Sequence, residues 1–411
     1  MRELLVQSMG ARGDGVSEDV FAPLTLPGER VLARVAGERA ELVQVLTASP
    51  ERVPAPCPHF GECGGCALQH WASAPYLAWK RDLVRAALAR VGLETEILPP
   101  FAAPPGSRRR LALHARRVDG RARIGLKARR SWRLVPMERC VVADPRLISA
   151  LPTLAQIAEP LLDHPKSAPT LHVTVTLTGL DVDITGVERR GGGPSADARV
   201  RVADAAARGD IARVSLTGET VYQARAPLVR IGQATVEIPP GAFLQAVGAA
   251  EAAMVAFALE AAAGAHRIAD LYCGLGAFTF PLARLAPVRA ADVSETAIAA
   301  LVKAVATAPG LRAIEASARD LERRPFLARD LRGIDTVVID PPRAGAEAQH
   351  REIAGSDCAK VIGVSCNPAT FARDARILAD GGFSLLRVLP VDQFLWSPHI
   401  ELVAQFSRER P

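Results

Sequence analysis

An α/β fold with added β modules follows from three features of the 411-residue chain. From about residue 236 onward, helical runs alternate with compact apolar strands at 267–271, 288–292, 336–340 and 360–364. That is the rhythm of a parallel sheet with crossover helices. From about 105 to 235 short strands dominate, and those at 171–177 and 180–184 alternate well. Residues 1–54 read as a small all-β module. Three units are therefore expected: 1–54, 55–235 and 236–411.

In the first unit, 20–24 and 31–35 are strand-like, with turn signals at Gly13-Asp14-Gly15 and Pro27-Gly28-Glu29. A five-stranded barrel of this size often binds RNA. Pro54-Ala55-Pro56 marks a boundary, and a cysteine group follows, then a helix from about 75 to 91. Gly191-Gly192-Gly193-Pro194 reads as a loop. The alanine-rich stretch 249–263 is broken by Glu251 and Glu260, so it reads as a packed helix. There is no internal repeat.

Apolar residues make up 49% and charged residues 23%, which excludes a disordered chain. No apolar run approaches the roughly 18–20 residues of a membrane span, and the N-terminus lacks the apolar region of a secretory signal. A cytoplasmic location is the default expectation. The net charge is +6, but its distribution says more. Twelve Lys and Arg residues lie between Arg108 and Arg139, opposed in sequence only by Asp119 and Glu138. Such a run can be a solvated face; a polyanionic partner fits better, because clustered cations release counterions from phosphates.

Seven cysteines occur, at 57, 63, 66, 140, 273, 358 and 366. Cys57, Cys63 and Cys66 form C-x5-C-x2-C among Gly61, Gly64 and Gly65, and Cys140 follows. Four thiolates match a [4Fe–4S] cluster or a structural zinc. Zinc sites usually carry two short knuckles and only one is present, which favours iron–sulfur over zinc and over unrelated thiols. A disulfide is disfavoured in a cytoplasmic chain. The spacing also differs from the C-x3-C-x2-C of radical enzymes.

Asp270-Leu271-Tyr272-Cys273-Gly274-Leu275-Gly276 reads as a strand entering a Gly-x-Gly turn. A lone Gly-x-Gly is weak, but Asp292 ends the next strand about 20 residues on, where a carboxylate can hold ribose hydroxyls. Asp320 is expected near an adenine edge. Thr279 stands where a third phosphate-binding glycine would be. That favours a nucleoside cofactor without pyrophosphate, such as S-adenosylmethionine, over NAD.

Asp340-Pro341-Pro342-Arg343 closes a strand, and Ser365-Cys366-Asn367-Pro368 closes the next. Amino-group methyltransferases usually carry an aromatic residue where Arg343 stands, so attack on carbon is favoured. Carbon 5 of a pyrimidine becomes nucleophilic once a thiolate adds to C6, and Cys366 is the natural thiolate. Glu401, in His399-Ile400-Glu401, is the best candidate to remove the C5 proton. The competing readings make Cys366 a core thiol and Glu401 an edge-strand surface carboxylate. Cys273 and Cys358 read as packing residues.

These residues carry a family likeness over nearly the whole chain. It resembles the S-adenosylmethionine-dependent RNA 5-methyluridine methyltransferases, in the iron–sulfur branch acting on 23S ribosomal RNA. The resemblance implies a TRAM-like, OB-like RNA-binding barrel at 1–54 and a central β-rich domain holding the cluster. It further implies a Rossmann-like class I methyltransferase domain at 236–411. Cys57, Cys63, Cys66 and Cys140 fall on the family's cluster ligands. Gln245, Tyr272, Gly274, Gly276, Asp292, Asp320 and Asp340 are its expected cofactor contacts. Phe243 of Phe-x-Gln is expected at the substrate. Cys366 and Glu401 match its nucleophile and base. Ala277 departs from the family's usual asparagine, and Leu395-Trp396-Ser397 from its usual Pro-His-Thr. The expected partner is RNA, with neither DNA nor membrane, and the expected state a monomer. Alternatives are a transfer-RNA methyltransferase of the same chemistry and a noncatalytic iron–sulfur RNA-binding protein; an amino-group methyltransferase is disfavoured by Arg343 and Cys366.

Overall fold

The structure is a computed structural model, and it describes residues 1–164, 167–187 and 193–409. Gly191 and Gly192 of the expected loop lie outside the described residues. The described residues form four sheets, of six, seven, two and nine strands.

The first sheet has six strands where five were expected. Its two edges are Arg2–Leu5, paired to Arg30–Ala36, and Ser8–Met9, paired to Asp14–Ser17. Both edges belong to one continuous segment, so the sheet rolls round on itself. Leu4, Val6, Val31 and Ala33 fill its interior.

The seven-stranded central sheet runs from Leu134–Pro136 through Arg121–Lys127, Arg110–Val118, Thr170–Thr176, Gly179–Thr185 and Ile211–Leu216 to Glu219–Gln223. The alternation seen at 171–177 places Leu171, Val173 and Val175 against helices Leu151–Ala158 and Ala196–Ala207, through Leu154, Ile157 and Val202.

The nine-stranded sheet holds the C-terminal unit. In spatial order it runs Ile314–Ala318, Val288–Asp292, Ile268–Leu271, Thr336–Ile339, Lys360–Ser365, Glu401–Ser407, Ser384–Asp392, Glu96–Ile97. The first five are parallel, and Glu401–Ser407 lies antiparallel between its neighbours. The strand order reverses beside Ile268–Leu271, the switch point where such sheets open a ligand crevice.

Packing crosses the expected boundaries. Residues 73–102 were assigned to the central unit, yet helix Ser73–Ala89 buries Val84, Ala87 and Leu88 against Leu378 and Phe383. Strands Glu96–Ile97 and Phe101–Ala102 pair with Ser384–Asp392. The hairpin Leu228–Ile231 with Ala234–Glu237 likewise packs on Phe280 and Leu301. These segments are too short to signal their partners locally; the apolar faces they cover decide their place.

One buried ion pair ties the helix to the sheet. Lys80 Nζ donates to Asp392 Oδ1 at 2.9 Å, with both side chains fully buried. Tyr76 Oη donates to Asp392 Oδ2 at 2.6 Å. Lys80 also donates to the His399 carbonyl. Removing one partner leaves a buried charge alone, so Lys80→Met is expected to lower stability by about 3–5 kcal/mol. Adding Asp392→Leu recovers part of that loss. Urea unfolding midpoints of the single and double variants check this.

Candidate active site

The carboxyl ends of the parallel strands supply the site. Lys360–Ser365 is a wholly apolar interior strand apart from its ends. It stops at Cys366 because Asn367 caps the next helix, Pro368–Asp380, its Oδ1 accepting from the Ala369 N–H at 3.1 Å. Proline occupies the first helical turn, where no donor is lost. Asn367 Nδ2 and Thr370 Oγ1 both donate to the Arg343 carbonyl at 3.2 Å, joining the two strand-end motifs.

The antiparallel register ends with Ser365 paired to Leu402, so Cys366 and Glu401 are the next residues on two adjacent strands. Glu401 is buried in an interior strand, which removes the edge-strand surface reading. Burial, then the nearby Asp340, pushes its carboxyl up to about 8. Burial, with Glu401 and Asp340, pushes the Cys366 thiol up to about 11, and Arg343 pulls it down. Asp340 rises to about 7 through burial and Asp292.

An amide chain links these groups. Gln245 Nε2 donates to Asp340 Oδ2 at 3.4 Å. Gln393 Nε2 donates to Gln245 Oε1 at 2.8 Å and to Glu401 Oε1 at 3.1 Å. The Ala246 N–H donates to Gln393 Oε1 at 3.0 Å, which fixes that amide's orientation. Gln393 was missed by sequence reasoning, as were Tyr76 and Lys80. Gln393 follows Asp392 directly in sequence, but nothing local shows that its amide reaches across to Gln245.

A cavity of about 740 Å³ lies before these groups. Gln245, Tyr272, Gly274, Asp292, Asp320, Asp340, Cys366 and Glu401 all line it, and so does Phe243. The loop bends sharply, with Tyr272 at φ 62° and Gly274 at φ 53°. A Cβ on Gly274 would meet nothing within 4 Å, so the backbone faces open space there. Asp292 is held by the N–H groups of Gly274 at 3.0 Å and Ser294 at 2.8 Å. Gly276 is brought to the turn but does not line the cavity. A Cβ there would meet Phe280 at 2.9 Å, so this glycine serves close packing behind the loop. Thr279 donates to Asp270, whose other carboxyl oxygen has no partner; burial pushes Asp270 up to about 7. Phe243 is 67% exposed, with the Arg110 guanidinium 5.4 Å from its ring centroid. Cys273 and Cys358 are buried away from the cavity lining.

Cys57, Cys63, Cys66 and Cys140 line a separate cavity of about 460 Å³ together with Arg108, Arg129 and Arg130. Burial pushes the Cys66 thiol up to about 12, and the other three thiols add to this. Among the described residues no group of three or more His, Cys, Asp or Glu side chains is arranged to hold a single metal ion. The basic run 108–139 is less bare than its sequence implied. Arg109 pairs with Glu251, Arg117 with Glu159 and Asp163, and Arg129 and Arg130 with Asp14. Those acids come from distant parts of the chain. No helix among the described residues is long and apolar enough to cross a membrane.

A switch-point cavity lined by a glycine turn, strand-end acids and a cysteine is the arrangement of a group-transferring enzyme on a Rossmann-like fold. The tRNA (uracil-5-)-methyltransferase family matches residues 207–408. An RNA methyltransferase of Caulobacter vibrioides is 62% identical, with 99% of this chain and all of that one aligned. The 23S rRNA (uracil(1939)-C(5))-methyltransferase RlmD of Halomonas elongata is 35% identical, over 97% of this chain and 88% of its own. The solved tRNA (uracil-54, C5)-methyltransferase of Pyrococcus abyssi shares the fold, with TM-score 0.76 and 23% identity over 98% of this chain and all of that one. The chain belongs to the S-adenosylmethionine-dependent RNA (uracil-5-)-methyltransferase family.

The raised Glu401 carboxyl has a stability consequence. Its contribution is full below the unfolded value of about 4.3 and is lost as pH rises through about 8. Glu401→Gln deletes that titration. The thermal midpoint of the variant, relative to the parent, is therefore expected to climb between pH 5 and 8; a flat difference would contradict the burial assigned to this group.

Proposed function

We propose that the enzyme methylates C5 of a uridine in 23S ribosomal RNA through a covalent Cys366 adduct. The observation that carries this is that Cys366 and Glu401 line one cavity, close enough for the Glu401 carboxyl to act on the Cys366 thiol. The Sγ proton passes to solvent; the thiolate bonds to C6 of the uracil, the C5=C6 π bond opens, and its pair is held as a C4 enolate nucleophilic at C5. S-adenosylmethionine, when bound, supplies an electrophilic methyl group on a positively charged sulfur. Once C5 carries the methyl group, the Glu401 carboxylate removes the C5 proton, the double bond re-forms, and Sγ leaves C6. Gln393 orients Glu401, and Arg343 favours the thiolate over the thiol.

The cavity residues suit that cofactor. Asp292 would hold the ribose, the open backbone of Gly274 would let it approach, and Gln245, Tyr272, Asp320 and Asp340 complete the wall. Asp340, raised to about 7 by burial and by Asp292, welcomes a cationic ligand. Phe243 offers an exposed ring to a base extruded from the RNA, a step costing a few kcal/mol. Loops, whose bases are already unstacked, are the cheaper target.

Four thiols lining one cavity would supply the four thiolates that a [4Fe–4S] cluster takes. Cys57, Cys63, Cys66 and Cys140 would be its ligands, and Arg108 lies beside their charge. The cluster would set the shape of this region. A 23S target is supported by the cysteine set and by the Halomonas relative; a transfer-RNA target is the second reading, supported by the match to the tRNA (uracil-5-)-methyltransferase family. The rolled six-stranded sheet would serve as a TRAM-like RNA-binding module.

Cys366→Ala is expected to bind RNA yet form no adduct with 5-fluorouridine RNA on a denaturing gel; a trapped adduct would remove Cys366 from its role. With normal uridine RNA, Glu401→Gln is expected to accumulate the adduct, and rapid turnover by this variant would remove Glu401 as base. Cys140→Ala, purified without oxygen, is expected to lose most of its iron and sulfide and its broad visible absorption.

A further inference from the structure

The hairpin of Arg121–Lys127 and Leu134–Pro136 carries a side chain that the uracil chemistry leaves unused. Trp132, at its tip, is 78% exposed, more than any other large apolar side chain described. Folding gives no reason to leave an indole in water. Lys127 Nζ lies 3.8 Å from its ring centroid, so one cation already sits against the ring.

The support beneath the ring is stiff. The hairpin strands approach so closely that a Cβ on Gly125 would meet the Val135 carbonyl at 1.9 Å. The Gly64 N–H donates to the Lys127 carbonyl at 2.9 Å, and the Arg129 N–H to the Glu62 carbonyl at 3.2 Å. Buried Asp14, from the first sheet, accepts from Arg39, Arg129 and Arg130 together. Three guanidinium groups on one carboxylate leave two positive charges in surplus at the hairpin's foot. A hollow of about 570 Å³ lies there, bordered by Gly64, Lys127, Arg129, Arg130 and Trp132.

That hollow leads toward the reacting cysteine. It shares Arg129 and Arg130 with the cysteine cavity, which shares Arg12 and His399 with a cavity of about 230 Å³ bordered by Cys366. Around this last cavity Arg12, Arg90 and Arg343 take no acid partner among the described residues. An RNA strand leaving Cys366 would meet unpaired arginines first and the tryptophan later.

We propose that Trp132 is a stacking platform for an unpaired nucleobase flanking the target uridine, with Lys127, Arg129 and Arg130 holding the adjoining phosphates. This rests on the uridine reading for its strand, not for its chemistry. Every base has a π-face, so such a platform tolerates sequence. A duplex offers no free face along its length. A protein partner is disfavoured because the indole's neighbours in the tip, Arg129, Arg130, Ser131 and Arg133, are polar or charged.

The test is a titration of the intact protein with oligouridylate and with duplex RNA of equal length, followed by indole fluorescence and by a filter-binding Kd at fixed salt. Oligouridylate should quench the parent protein. Trp132→Ala should lose most of the quench and weaken oligouridylate binding about tenfold, within the range for one stacked base. Trp132→Phe should keep most of the affinity, and duplex affinity should not change. On transcribed 23S RNA, Trp132→Ala should raise KM and leave kcat and the Cys366 adduct intact. Equal oligouridylate affinity in parent and Trp132→Ala would overturn the platform and leave the surface to a protein contact. An equal loss for duplex would overturn it too. The quench needs no methylation, so an inactive parent that still shows it would defeat the uridine reading alone; normal methylation with unchanged KM in Trp132→Ala would defeat the platform alone.

Discussion

The buried pair of Lys80 and Asp392 is the constraint on which the site's geometry depends. Two fully dehydrated charges are costly, and a well-packed apolar pair could replace them with little loss of stability. What an apolar pair could not do is bond in three directions at once. Asp392 takes Tyr76 as well as Lys80, and Lys80 takes the His399 carbonyl. Tyr76 in turn accepts from the Trp396 N–H at 2.8 Å. The loop from Asp392 to Glu401 is thus held at both ends and in its middle by one turn of helix. Trp396 tolerates φ 60° there because these bonds over-determine it. The departure of Leu395-Trp396-Ser397 from the family's usual residues therefore falls on a loop whose backbone is fixed from outside.

The same site concentrates negative potential. Asp270, Asp292, Asp340 and Glu401 lie on neighbouring strand ends, and each of Asp270, Asp340 and Glu401 is raised by burial and by another acid. Holding such groups together disfavours their ionised forms. A cation entering the cavity relieves that repulsion. The thiol of Cys366 obeys the same logic: it stays protonated while its surroundings are acidic, and the Arg343 guanidinium opposes them. Selection for a cationic ligand is thus written into the electrostatics before any shape is considered.

Much of this was legible in the sequence, for a physical reason. Cys366, Asp340, Asp292 and Gly274 sit where apolar runs end, and strand ends are visible because hydrophobicity stops there. The rolled first sheet and the alternating central strands were visible likewise. What stayed hidden was long-range. Tyr76 and Lys80 act on groups more than three hundred positions away in sequence, and Gln393 on Gln245. The short strands Glu96–Ile97 and Phe101–Ala102 join a sheet built from the far end of the chain. The basic run looked bare because Asp14, Glu62 and Glu251, which neutralise parts of it, lie outside it.

These long-range bonds also explain why three units would act as one enzyme. The Trp396 carbonyl accepts from the N–H groups of Ala67 at 2.8 Å and Leu68 at 3.0 Å, immediately after Cys66. The cysteine loop therefore grips the backbone that leads to Glu401. Asp14 reaches from the first sheet to Arg129 and Arg130, and Gly64 holds Lys127 by its carbonyl. The Cβ of any other residue at Gly64 would meet that carbonyl at 2.9 Å, so the contact admits little else. A group bound by the four cysteines would be the keystone of this junction: it would lock one loop against both the Trp132 hairpin and the strand that carries Glu401. Its value to the reaction would then lie in position, and no electron need pass for the protein to require it.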